Sequence, residues 1–225
     1  MDGGHLRGAD SVYIFAVDKR QPIQGDRRMF FNQIANSIKS RGLFGTLKWG
    51  YDGYLKVNNF IVFCRDLAVP VDMRLVKPGI EMKEMSLLEL RCLRAQNDRL
   101  PVEFYCDETK GFKYCYLAFI DDHPAAIYWL VRPEEKSRFL ILRDGDLELN
   151  YAVVLPQYRG NRIAESLMGF ILNDACSKGF NRIFSVIHVS NIPQYKPMLR
   201  LGFLPVECLT HFFVWRPKAT LRYLK

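Results

Sequence analysis

The stretch that decides the fold is LNYAVVLPQYRGNRIAESLMGFILNDACSKGF, residues 149–180. Its first part is rich in strand-forming residues up to Pro156, and its last part repeats apolar residues at helical spacing from residue 163 to 177. The pattern predicts a strand that turns through residues 159–162 and becomes a helix. The first amides of such a helix lack intrahelical acceptors and carry about half a unit of positive charge. Because Gly160 lets the backbone approach an anion closely, the turn predicts a phosphate site.

Strands and helices alternate on both sides of this turn. A capping box at Ser86 and Glu89 predicts the start of a helix, and residues 114–131 read as two strands around a polar turn. Residues 147–189 predict a parallel crossover, whereas the hairpin predicts antiparallel pairing. We therefore expect an α/β (α+β) fold with a mixed, mostly antiparallel central sheet flanked by helices. The other predicted elements are strands at 72–76, 181–189 and 208–216, and a short helix at 195–202.

The N-terminal part of the chain differs in composition. Its periodicity predicts a helix at 26–42 and a strand at 54–65, and Val69, Pro70 and Val71 make a plausible junction. We therefore divide the chain into an N-terminal elaboration, 1–69, and a larger domain, 70–225.

Between Arg27 and Arg65 lie seven Lys or Arg residues and one acid, Asp52, with aromatic residues interleaved. This mixture suits a phosphate-bearing partner, an anionic membrane surface or nucleic acid. The alternative is a solvated basic face whose aromatic residues belong to the core.

Composition narrows the class of protein. The 225 residues are 49% hydrophobic and 13% aromatic, which suits a globular domain, and no apolar run approaches the roughly 20 residues that span a bilayer. Six cysteines show no C-x-x-C spacing, and four histidines show no metal-binding spacing. We expect free thiols in a cytoplasmic protein without a metal, and the basic segment leaves peripheral membrane attachment open.

Residues 157–162, Q-Y-R-G-N-R, are followed by a helix, a strand, Asn191 and, eleven residues later, Gly202-Phe203. This arrangement resembles the GCN5-related N-acetyltransferase (GNAT) superfamily, whose pattern is Q/R-x-x-G-x-G/A. The order of elements from Asp72 to about Pro217 also matches, so the resemblance covers about two thirds of the chain.

The resemblance implies a coenzyme A site and no metal. The cosubstrate is then acetyl-CoA or another acyl-CoA. The strand that ends at Val153 and Val154 would splay from the next strand and pair with the pantetheine arm, which Asn191 would also contact. The amides that would hold the pyrophosphate belong to Arg159, Gly160, Asn161, Arg162, Ile163 and Ala164.

Two positions depart from the pattern. The last motif position, usually Gly or Ala, is Arg162, which a helical backbone tolerates and whose side chain, turned outward, is a candidate phosphate clamp. The position seven after Asn191, where many relatives carry a tyrosine general acid, is Met198.

Acyl transfer to an amine needs a base, a group that polarises the carbonyl and an acid for the leaving thiolate. Our candidate base is Glu148, directly or through water, with a solvent carboxylate as the alternative. A backbone amide near Val154 would polarise the carbonyl, and Tyr195 is the candidate acid. Tyr151 and His188 are weaker candidates that suit the core as well.

The leading hypothesis is an acyl-CoA-dependent N-acyltransferase that transfers acetyl to a primary amine of a small molecule, without a covalent enzyme intermediate. The segment FIVFCRDL, residues 60–67, resembles leaders of bacterial acyltransferases of surface-polysaccharide pathways, which suggests an amino sugar. Amino acids, polyamines, antibiotics and protein termini stay open.

The alternative hypothesis is a catalytically degenerate module that binds acyl-CoA or a partner. The expected partners are the small-molecule amine and, through residues 27–65, an anionic membrane surface or a phosphate-bearing substrate. Nucleic acid is the less favoured partner of this segment, and a homodimer is left open.

Overall fold

The computed structural model describes residues 57–69, 71, 79–97, 99–212 and 217–219, together with residue 45. The predicted helix at 26–42, the predicted strand at 72–76 and most of the basic segment lie outside the described residues. The chain divides into two compact units, Met1–Asn58 with His211–Arg216, and Asn59–Thr210 with Pro217–Lys225. Nearly all described residues belong to the second unit, and the division at residue 69 stays a prediction.

The described strands form one sheet of seven, in the order β2-β3-β4-β5-β6-β1-β7. Strands β5 and β6 are parallel, whereas β2–β3, β3–β4, β4–β5 and β1–β6 pair antiparallel. The predicted mixed, mostly antiparallel sheet is confirmed. The elements are β1 (Asn58–Asp66), β2 (Glu81–Met85), α1 (Leu87–Ala95), a 3-10 turn (Val102–Tyr105), α2 (Cys106–Lys110), β3 (Tyr114–Ile120), β4 (His123–Val131), β5 (Asp146–Val154), a 3-10 turn (Pro156–Tyr158), α3 (Ile163–Ser177), β6 (Arg182–His188), α4 (Ile192–Arg200) and β7 (Leu204–His211).

Local chemistry explains two of these elements. The Ser86 hydroxyl accepts the Glu89 amide at 3.3 Å while the Glu89 carboxylate accepts the Ser86 amide at 2.9 Å, so the predicted capping box starts α1. Asp121 and Asp122 form the two-residue turn of the β3–β4 hairpin with φ of 48° and 61°. Left-handed backbone at both turn residues matches the twist of the flanking strands.

Helix α3 packs against one face of the sheet. Leu167 and Ile171 of the helix are fully buried and share a cluster with Ala118 and Ala126 of the sheet. Burial of one such large aliphatic side chain stabilises the fold by roughly 1.5–3 kcal/mol. On the opposite face the 3-10 turn at Val102–Tyr105 is fixed by Trp129, whose indole donates to the Glu103 carbonyl at 2.7 Å.

Strand β5 contains one extra residue relative to β4. Ile127 pairs with Val153 but Trp129 pairs with Asn150, so two residues of β5 lie opposite Tyr128 alone. Tyr151 is one of those two and has φ of 43°. This β-bulge bends β5 away from the regular ladder.

Strands β5 and β6 separate after four paired residues. Their pairing runs from Asp146 with Arg182 to Leu149 with Ser185. Strand β5 then continues to Val154, while β6 continues to His188 in register with β1. The predicted splayed strand pair is therefore present, and it opens a gap toward the carboxyl ends of both strands.

The predictions from the sequence were wrong at both edges of the sheet. Strand β2, EMKEM, was not predicted, and β7 begins at residue 204 instead of the predicted 208. Edge strands tolerate charged residues and proline, which weaken the signal of a strand in the sequence. Helix α2 and the 3-10 turn before it were also missed.

Candidate active site

The turn after β5 presents a row of backbone donors. Gly160 has φ of 81°, and a Cβ added there would meet no atom within 4 Å. Within the described structure, the amides of residues 160–165 form no hydrogen bond, and the first backbone bond of α3 joins the Ser166 amide to the Arg162 carbonyl at 3.0 Å. The Arg159 amide, by contrast, donates to the Pro156 carbonyl at 3.3 Å. Five of the six predicted pyrophosphate residues thus offer free amides to an anion, which fits the proposed ligand.

Arg162 caps α3 with a left-handed backbone, φ 58° and ψ 21°, and not with the helical conformation that the sequence predicted. Its guanidinium donates to the buried Glu165 carboxylate through Nε at 3.1 Å and Nη2 at 2.9 Å. Arg200 donates to the same carboxylate from α4 at 3.1 and 2.8 Å. These bonds hold Arg162 in a conformation that glycine usually adopts. Its role as a phosphate clamp stays a prediction.

The gap between β5 and β6 brings the predicted cofactor residues to one edge of the sheet. Val153 and Val154 lie on β5 beyond its last β6 partner, and the exposed Arg159 donates from Nε to the Val154 carbonyl at 3.2 Å. Asn191 is the N-cap residue of α4, just after β6, and its backbone amide donates to the His188 carbonyl at 2.8 Å. Parallel strands end at the same edge, so these residues flank the opening.

Tyr195 lies on the first turns of α4 near the end of β6. Its hydroxyl donates to the His188 carbonyl at 3.4 Å, and its ring centroid is 5.6 Å from that of Phe63. Partial burial raises the pKa of the Tyr195 hydroxyl. The side chain is therefore a protonated phenol directed toward β6 and β1.

Glu148 is fully buried, so the alternative of a solvent carboxylate is wrong. Oε1 accepts the Asn150 amide group at 3.0 Å, whereas Oε2 has no partner with hydrogen-bond geometry among the described residues. Burial raises the pKa of Glu148 to about 7, against the opposing effects of the nearby Ser137 hydroxyl and of the Lys218 and Arg138 charges. A carboxyl that titrates near neutrality is suited to general base catalysis.

The family model for the acetyltransferase (GNAT) family matches residues 82–203. The chain belongs to this family. No curated protein matches it. Solved structures show the same fold at low identity.

A GNAT-family acetyltransferase from Novosphingobium aromaticivorans is 18% identical with a TM-score of 0.50, over 69% of this chain and 63% of that one. A GCN5-related N-acetyltransferase from Sphaerobacter thermophilus is 16% identical with a TM-score of 0.52, over 80% and 59%. A GCN5-related glucosamine N-acetyltransferase region of a fungal multi-domain GH3 β-N-acetylglucosaminidase is 16% identical with a TM-score of 0.54, over 78% and 22%. The match therefore spans less than two thirds of each of these three relatives.

The GNAT pattern places Met198 where many members carry a tyrosine acid. Met198 is 1% exposed and belongs to the core on the α3 side of the sheet. A thioether carries no proton to donate, so Met198 cannot take the role of that tyrosine. None of the helices among the described residues is both long and apolar enough to cross a bilayer.

The sequence did not predict that residues 217–219 of this GNAT domain contact the loop after β4, near Glu148. Ala219 bridges to Leu140, its amide donates to the Phe139 carbonyl at 2.8 Å, and the Lys218 ammonium donates to the Ser137 carbonyl. These contacts join residues about 80 positions apart and follow no motif, so nothing in the sequence signals them.

The raised pKa of Glu148 predicts a pH-dependent stability. An unfolded chain releases this proton near 4.5 and the folded domain near 7, so the folded state binds more protons between those values and its stability falls as pH rises through them. The full change amounts to roughly 3 kcal/mol. As pH rises from about 4.5 to about 7.5, the free energy of unfolding of Glu148→Gln should therefore increase by about that amount relative to that of the wild type.

Urea unfolding at several pH values checks this expectation. Glu89→Gln is the control, because Glu89 is exposed and its pKa is lowered by the hydrogen bonds to Ser86. A Glu148→Gln difference that does not change with pH would contradict the raised pKa.

Proposed function

We propose that the chain is an acyl-CoA-dependent N-acyltransferase that transfers an acetyl group from acetyl-CoA to a primary amine of a small molecule by direct attack. One observation carries the proposal: the free amides of residues 160–165 lie at the end of β5, beside the gap between β5 and β6. An anion at these amides would leave the gap open to the rest of the cosubstrate.

Each residue then has one task. Coenzyme A supplies the activated thioester when bound. The amides of residues 160–165 bind its pyrophosphate, Asn191 and the free edge of β5 hold the pantetheine arm, and an amide near Val154 polarises the carbonyl oxygen. Glu148 removes a proton from the attacking amine.

The environment of Glu148 supports its role as the base. Asn150 orients the carboxyl through Oε1, and Oε2 is left as an acceptor for the proton. Since the Glu148 side chain is 0% exposed, the proton of the amine reaches its carboxyl through a water molecule. A pKa of about 7 gives both protonation states at neutral pH.

Calorimetry with coenzyme A and acetyl-CoA tests the proposal, followed by thiol release from acetyl-CoA with a panel of amines. The panel contains amino sugars, amino acids, polyamines, aminoglycosides and peptides with a free N-terminus. We expect micromolar binding and release with at least one class. Wild-type protein that binds neither compound would overturn the proposal.

An amino sugar is the acceptor class that we propose first. The glucosamine N-acetyltransferase region named above has the same fold, although that activity is a property of that protein. A phosphate on the sugar, or an anionic membrane, would be met by residues 27–65. Binding that depends on these charges weakens steeply with salt, so affinity for anionic vesicles or a nucleotide sugar that is flat with salt would count against it.

Three described residues of that segment have structural roles. Phe60 and Phe63 are buried, and Arg65 donates to the Leu201 carbonyl and, at 2.7 Å, to the Val69 carbonyl. The alternative of a structural role therefore holds for these residues, and a docking role rests on residues 27–56.

Met198 favours a second candidate, a module that binds acyl-CoA without turnover. A buried methionine stands where many family members carry a tyrosine proton donor. This candidate predicts coenzyme A binding, no thiol release with any amine, and no effect of Glu148→Gln on binding.

A further inference from the structure

Tyr128 on β4 has a buried hydroxyl. The residue is 3% exposed, and its oxygen has no partner with hydrogen-bond geometry in the described part of the chain. Buried tyrosine hydroxyls usually have a partner. The ring lies in the cluster that also contains Leu167, Met198 and Leu201, so it projects to the α3 side of the sheet.

Tyr128 lies level with the part of β5 where its pairing with β6 has ended. It lies opposite the bulge of β5, between the pairs Ile127–Val153 and Trp129–Asn150, where β5 leaves β6. Its hydroxyl faces the Gln194 side chain of α4. Strand β4 lies on one side of β5, whereas α4 follows β6 on the other side. A side chain that extends from β4 toward α4 has to pass the free end of β5, so we expect the hydroxyl to lie beside the gap.

We infer that Tyr128 donates the proton to the leaving thiolate and so replaces the tyrosine that many family members carry at the Met198 position. This inference rests on the proposed function. The hydroxyl is also in the correct protonation state, because burial raises the pKa of Tyr128 far above its usual value and the Gln194 side chain opposes this only in part.

The step balances with the groups named. The amine nitrogen forms a bond to the carbonyl carbon, the carbon–sulfur bond breaks, and its electron pair stays on sulfur. The phenol proton moves to that sulfur, which gives the free thiol. The amine proton taken by Glu148 passes to solvent, and the phenolate takes one proton back from solvent, so amine and thioester become amide and thiol.

Tyr195 is the competing donor. Its hydroxyl is already bonded to the His188 carbonyl, and its ring packs near Phe63. The Tyr128 hydroxyl lies near the Gln194 side chain but has no partner with regular hydrogen-bond geometry among the described residues. A Tyr195→Phe variant measured in parallel separates the two assignments.

The test is Tyr128→Phe with Tyr116→Phe as the matched control. Tyr116 is the cross-strand partner of Tyr128, is 1% exposed and lies in the same cluster, but its hydroxyl donates to Asp174 at 2.5 Å. We expect Tyr128→Phe to lower kcat on the order of 10²-fold with coenzyme A affinity within about twofold of wild type. Tyr116→Phe is expected to keep kcat within about threefold.

A second readout needs no turnover. The thiol of bound coenzyme A is titrated by the ultraviolet absorbance of its thiolate, with the desulfo-coenzyme A complex as the blank. Because a phenol donor stabilises the thiolate, we expect the bound thiol to ionise at a pH about one unit higher in Tyr128→Phe than in the wild type.

The outcomes distinguish the assignment of Tyr128, the assignment of Tyr195 and the proposed function. An unchanged thiol titration with kcat within about threefold of wild type would overturn the assignment of Tyr128, and so would loss of coenzyme A binding in a variant whose thermal unfolding is normal. A loss of kcat in Tyr195→Phe alone would assign the proton to Tyr195. Wild-type protein that fails to bind coenzyme A would sink the proposed function itself.

Discussion

Gly160→Asp is expected to weaken the binding of coenzyme A at least about 100-fold, which corresponds to roughly 2.8 kcal/mol. The turn at Gly160 is open, so the aspartate has room there, and its carboxylate would add a negative charge next to the free amides of residues 160–165. Two unit charges about 4 Å apart near a protein surface repel by about 4 kcal/mol, which is enough for the expected loss. Isothermal calorimetry measures it directly.

Two variants separate charge from backbone strain. Gly160→Ala adds a Cβ without a charge and is expected to weaken binding much less. Gly179→Asp places the same side chain at the other end of α3, where φ is 79° and a Cβ also meets nothing within 4 Å. Equal losses from Gly160→Asp and Gly179→Asp would point to general destabilisation, and wild-type affinity in Gly160→Asp would remove the turn as the cofactor site.

Glu148→Gln is expected to lower kcat on the order of 10²- to 10³-fold while coenzyme A binding stays within about twofold. The wild-type rate should rise with pH through the pKa of Glu148, about 7, because only the ionised carboxyl accepts a proton. A glutamine has no such ionisation, so the rise is lost. Steady-state rates across pH, measured at saturating acetyl-CoA, give both kcat and its pH dependence.

Glu103→Gln is the control for this variant. Glu103 is also buried, and burial raises its pKa, but it lies in the 3-10 turn before α2 and not on β5. We expect it to leave kcat and its pH dependence nearly unchanged. If Glu148→Gln keeps both the rate and its rise with pH, the base lies elsewhere.

The strand, turn and helix of residues 149–180 could be predicted because their signals are local. Helical periodicity predicted α3 at residues 163–177, as the structure has it. Gly160 marks a position that needs a left-handed backbone, and the row of free amides follows from the geometry of any helix start. The predicted cofactor residues depend on this stretch, apart from Asn191.

The rest of the site depends on contacts between distant parts of the chain. The conformation of Arg162 is fixed through Glu165, which Arg200 also holds from 35 residues away. The electrostatic surroundings of Glu148 include the Lys218 charge, because residues 217–219 contact the loop that follows β4. Tyr128 became a candidate only from the register of the β5 bulge and the position of α4, and a β-bulge leaves no distinct pattern in the sequence.

Strand β1 bears on how this chain folds during synthesis. It lies between β6 and β7, and its register with β6 joins Phe60 to His188 and Asp66 to Arg182, which are 128 and 116 residues apart. At about 5–20 residues per second the ribosome needs roughly 6–26 s to make the partner strand. During that time Phe60, Val62 and Phe63 lack the partner strand β6, so β1 is a segment for a chaperone to shield. This first of the described strands in chain order can pair with β6 only after β2 to β5 have been synthesised.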